Sequence, residues 1–172
     1  MLRKIFLTVT IILLFLLQTV VLSRISILFV TPNLLLAFCT CYGLMKGKKS
    51  GMYTGLVCGI LMDVFFGSIL GFYALFMMLF GHLSGYFHKR FFPDEIKLPL
   101  LMVFVEDLLM GCAVYVFLFL FRGKFMFGYY FINIMIPEAV FTTLVSLLIY
   151  PVIIRINTLI EEHEKRRAIK FG

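Results

Sequence analysis

Four carboxylic acids, Asp63, Glu106, Asp107 and Glu138, stand inside stretches that are otherwise apolar. An ionisable group in such surroundings is costly, so it marks a proton or cation path, a pairing with a basic group, or a buried hydrogen-bonding anchor between helices. Asp63 continues a series with an interval of four residues: Gly47, Gly51, Gly55 and Gly59 precede it, Gly67 and Gly71 follow it. Positions four apart share one face of an α-helix, and glycines there let another backbone come close. Gly51, Gly55, Gly59, Asp63, Gly67 and Gly71 are therefore the candidate helix-packing or partner-binding residues. Asp63 is expected to meet a cation near the outer face, with Arg24, Arg122 or a partner's basic group as candidates. Along the helices, Asp63 and Glu138 fall in the outer half of the bilayer and Glu106 and Asp107 in the inner half. Glu106 and Asp107 are adjacent, so they point about 100° apart and cannot share a groove. Lys97 and the inner headgroups are near enough for both to snorkel.

Other chemistries lack their residues. His82, His88 and His163 have no metal spacing, and there is no His-Glu-x-x-His. Gly81-His82-Leu83-Ser84-Gly85 invites comparison with an intramembrane serine protease. The glycine two places before the serine is missing, and no catalytic histidine stands in a later helix. Cys39, Cys41, Cys58 and Cys112 all lie in apolar runs and read as small packing residues, without zinc or disulfide spacing. No catalysis, cofactor or metal is expected.

The elements that must position the acids follow from hydropathy. Of the 172 residues, 62% are hydrophobic and 15% charged, with a mean hydropathy of +1.06. A water-soluble domain carries about 25% charge. The apolar runs approach the ~20 residues that cross a bilayer, so the chain reads as an all-α, polytopic membrane protein of about six transmembrane helices. The helices are expected at about 5–22, 33–45, 51–66, 71–87, 98–121 and 131–154, in one domain, 1–154, followed by a charged cytoplasmic tail, 155–172. Helix 1 reads as a retained signal anchor in preference to a cleaved signal peptide. Pro32 opens helix 2 from within its first turn, and Pro137 and Pro151 mark kinks in helix 6. In the tail, Glu161–Lys165 and Glu162–Arg166 have the spacing of helical ion pairs.

The net charge of +7 is divided among short connections, which is a topology signal and not a nucleic-acid footprint. With both termini in the cytoplasm, thirteen Lys and Arg lie inside and three (Arg24, Arg122, Lys124) outside. That bias sets an N-in, C-in orientation.

The chain resembles the MreD family of bacterial rod shape-determining membrane proteins. The resemblance rests on Pro32-Asn33-Leu34-Leu35, on Gly55-x3-Gly59-x3-Asp63 followed by Ser68-x-Leu70-Gly71, on Pro137 with Tyr150-Pro151, and on the layout of about six helices with a charged tail. It implies a non-enzymatic component of the wall-elongation machinery in the bacterial inner membrane. Such a component binds the bitopic protein MreC and works with the MreB filament, RodA and a class B penicillin-binding protein. It also implies a fold similar to the substrate-binding subunits of energy-coupling-factor transporters. The rival reading is such a vitamin-type transporter subunit. Those subunits usually carry alanine-x3-alanine on helix 1, whereas residues 5–22 contain no alanine.

Overall fold

A computed structural model describes residues 2–22, 30–67, 69–92, 95–119 and 127–171. Arg24, Ser68, Arg122 and Lys124 lie outside these residues, as do the side chains of the Glu161–Lys165 and Glu162–Arg166 pairs. The described residues are helical, with no strand among them. The order is α1 (Leu2–Leu16, widening over Leu17–Leu22), α2 (Leu34–Lys46), α3 (Lys48–Phe66), α4 (Phe72–Tyr86, tightening over Phe87–Arg90), α5 (Lys97–Val114, widening over Tyr115–Phe119), α6 (Phe127–Tyr130) and α7 (Ile136–Phe171). The stretches Lys97–Phe117 and Phe127–Arg155 are long and apolar enough to cross a membrane.

The shortest of the long elements is the central one. Twelve of the thirteen residues of α2 are buried, including polar Thr40, and α3, α4, α5 and α7 all pack against it. A helix apolar on every side belongs in an interior. At 1.5 Å per residue α2 is only about 20 Å long, which suffices because its neighbours, not lipid, surround its ends.

Local signals set the joints. Pro32 is buried one position before the cap, outside the first turn where the sequence places it. The cap is Asn33, whose side-chain oxygen accepts from the Leu36 N–H at 3.3 Å. Gly47, at φ 86, is the only residue between α2 and α3. That left-handed turn lets α3 begin at Lys48, three residues before the expected start at Gly51. The Lys48 ammonium then sits 3.8 Å from the centroid of the Tyr86 ring. Pro137 cannot donate an N–H one turn back, and the helix widens over Phe131–Met135 just before it. Pro151 lies within α7, which continues to Phe171.

Candidate functional site: a glycine seam and the buried carboxylates

The glycine face of α3 is covered by the chain's own α4. A Cβ on Gly51 would strike the Gly81 carbonyl, one on Gly55 the Met77 carbonyl, and one on Gly59 the backbone of Tyr73 and Ala74. The contact is mutual, since a Cβ on Gly81 would meet Gly51 and one on Gly85 would meet Gly47 and Lys48. Gly43 brings α2 to the same line, where its Cβ would meet Gly81, Ser84 and Gly85. Buried Cys39 fills the junction, its sulfur 3.5 Å from the Met77 carbonyl oxygen and 3.7 Å from that of Gly51. Of the two readings of this face, helix packing is the one met within the chain itself. Glycine spacing reports a close backbone approach without saying whose backbone approaches.

Asp63 ends this seam, 3% exposed. Its two carboxylate oxygens accept the backbone N–H groups of Tyr73 and Ala74, each at 2.9 Å. Those amides belong to the first turn of α4, where N–H groups have no partner inside the helix. The cap position is Gly71, at φ 94, which has no side chain to offer. Asp63 reaches across from α3 and supplies the missing acceptors, with its charge at the positive end of the α4 dipole. Among the described residues it is backbone amides that meet Asp63, and the expected arginines, Arg24 and Arg122, lie outside those residues. Gly67 closes α3, and a Cβ there would strike the Asp63 backbone. Asp63→Asn should keep one of the two bonds and lose the charge, lowering the unfolding free energy by about 1 kcal/mol. Asp63→Ala should cost about twice that, and thermal unfolding of the purified protein measures both.

Glu106 and Asp107 lie on the buried stripe of α5, with Pro99, Val103 and Met110. They do not snorkel: exposure is 1% for Glu106 and 5% for Asp107. Glu106 turns toward α2 and α4, where the Thr40 hydroxyl donates to it at 2.5 Å and the Ser84 hydroxyl at 2.6 Å. Each hydroxyl also lies near a carbonyl of its own helix, Leu36 at 2.9 Å and Phe80 at 2.8 Å. One carboxyl thus joins α2, α4 and α5.

Asp107 turns the other way. The Thr142 hydroxyl of α7 bonds it and in turn accepts the Asn33 N–H at 3.0 Å. The start of α2 is thereby tied to α5 and α7. Asp107 also lines a cavity of about 290 Å³ together with half-buried Glu138, Asn33, Gln18, Tyr73 and Tyr130. The inner-half and outer-half depths expected for Asp107 and Glu138 do not separate them. Residue counting fixes depth along one helix at a time, while helices that tilt and widen bring different counts to one level.

The chain matches the family described as rod shape-determining protein MreD over residues 2–158. It belongs to that family. No curated protein and no solved structure gives a match.

In this MreD-family membrane protein, the glycines at 55 and 59 and the acid at 63 form one device. The glycines set the α3–α4 distance, Asp63 caps α4, and Gly71 makes the turn between them. Sequence reasoning missed Thr40, Ser84 and Thr142, whose hydroxyls hold the two α5 acids. It also missed Gly43, Gly81 and Gly85 as the other half of the seam. The four-residue interval from Gly81 to Gly85 was the available signal.

Proposed function

We propose that this protein is a non-catalytic membrane component of the bacterial cell-elongation complex. It binds an MreC-like single-span protein and acts beside MreB, RodA and a class B penicillin-binding protein to maintain rod shape and direct lateral peptidoglycan synthesis. The family match across residues 2–158 carries this reading. The proposed topology is six spans in the inner membrane with both termini cytoplasmic, supported by the thirteen-to-three distribution of Lys and Arg. Likeness to energy-coupling-factor substrate-binding subunits is proposed on size and helix number.

With the glycine seam closed from within, the partner's span is proposed to lie on the opposite side of α3. There Tyr53, Val57, Ile60 and Val64 form an exposed stripe at helical spacing. It borders a groove lined by Leu7, Ile11, Tyr42 and Thr54. In a strain whose own copy is depleted, the intact chain should restore rods and co-purify with the single-span partner. A photo-crosslinker at Val57 should capture that partner, and one at Leu101, exposed on α5, should not. Rod shape restored without any such partner in the complex would overturn the reading. Equal capture from both positions would remove the α3 stripe from it.

A further inference from the structure

The polar cavity between the wide turn of α1, the start of α2, α5 and the α6–α7 run has no place in the hairpin device. Asp107 lines it with an unsatisfied atom: its Oδ2 is buried and has no hydrogen-bond partner among the described residues. A buried carboxylate oxygen demands a donor. The neighbouring amide oxygens are acceptors already in use. Asn33 Oδ1 takes the Leu36 N–H at 3.3 Å, and Gln18 Oε1 takes the Leu35 N–H at 3.3 Å. The Gln18 amide nitrogen is turned to Met62 Sδ at 3.8 Å. Glu138 adds a second carboxylate, and among the described residues no Lys, Arg or His lines the space. Its remaining walls include Tyr73, Tyr130, Phe66, Met62 and Met110.

We infer that this cavity is a binding site for one organic cation, an ammonium or guanidinium group held between Asp107 and Glu138. Such a group brings donors only, which is what Asp107 Oδ2 lacks. Its positive charge answers two carboxylates, and its hydrocarbon part and charge both suit aromatic walls. A bare hard cation needs six or more oxygen ligands closed around it, whereas Met62, Met110, Phe66 and Val114 make part of this wall apolar and suit a cation that carries hydrocarbon. A volume of about 290 Å³ has room for a small organic amine or the end of a basic side chain. The cation is either a free organic ammonium or the lysine or arginine of a partner protein, and the recognition chemistry is the same. The inference does not rest on the proposed cellular role, since the isolated protein tests it.

The chain contains no tryptophan, so Phe66→Trp at the cavity rim gives a single reporter. In lipid nanodiscs its fluorescence should respond saturably to n-butylammonium or n-butylguanidinium and not to n-butanol. Glu138→Gln, an isosteric change at a half-exposed position, should weaken binding at least tenfold, and Asp107→Asn should abolish it. Circular dichroism checks that both variants remain folded. Repeating the titration with the single-span partner bound separates the sources. Competition identifies a partner's basic side chain, and undiminished binding identifies a free ligand. Each result supports the site. An unsaturable response, or one unchanged in both variants, overturns it. Binding that emerges only after Arg24→Gln or Arg122→Gln also overturns it, because the chain's own arginine would then be the occupant.

Discussion

Gly55→Leu should unfold the α3–α4 hairpin and prevent accumulation of the protein, with a loss of at least ~3 kcal/mol. A Cβ at position 55 would already lie 2.7 Å from the Met77 carbonyl carbon and 2.9 Å from the Cys39 sulfur. The obstacle is largely backbone, which cannot rotate aside as a side chain can. The helices must separate, and separation draws Asp63 away from the Tyr73 and Ala74 amides that it caps. Even Gly55→Ala should be clearly destabilising for this reason. Two other glycines serve as controls. A Cβ on Gly128 meets nothing within 4 Å, so Gly128→Ala should be silent or slightly stabilising. Gly71 also has open space, but its φ of 94 makes Gly71→Ala cost about 1 kcal/mol through backbone strain alone. Thermal unfolding in detergent ranks the four variants, and steady-state level in cells should follow the same order. If Gly55→Leu were no worse than Gly71→Ala, the helices would not be in backbone contact at this point.

How far the sequence reveals this architecture depends on the kind of partner each residue meets. Apolar runs and charge distribution are properties of composition, and the all-helical class could be read from them. The interval from Gly51 to Asp63 gives the special face of α3, yet the mate of that face is a second stripe on α4 and a single glycine on α2. No count along α3 can choose between an internal mate and a foreign one. For Asp63 the sequence displays side-chain charges as possible partners, while unpaired backbone amides leave no mark in it. The need for those amides to be capped was hidden in Gly71, a cap position without a capping side chain. Glu106 and Asp107 illustrate rotation. Hydropathy placed them near a charged loop, but Pro99, Val103 and Met110 share their stripe and turn both acids inward.

Glu106→Ala should rank next, at about 3 kcal/mol, while Glu106→Gln should stay close to the parent protein. Each of the two hydroxyls at this junction has one proton and lies near two oxygens, a carboxyl oxygen of Glu106 and a carbonyl of its own helix. Glutamine fills the same volume and brings a donor, so its amide can give a proton to the Ser84 hydroxyl and free that hydroxyl for the Phe80 carbonyl. Its oxygen can still accept from Thr40. Alanine leaves a void between α2, α4 and α5 and removes the group that joins them, so cavity and lost hydrogen bonds add. The contrast separates two roles for a buried acid. A residue needed for its negative charge fails as glutamine, and a residue needed for its hydrogen bonds survives. Unfolding of the two variants together with Thr40→Val and Ser84→Ala decides the matter. Because Thr40 and Ser84 act through Glu106, combining either change with Glu106→Ala should cost less than the sum of the separate effects. Strict additivity would show that the three side chains do not form one unit.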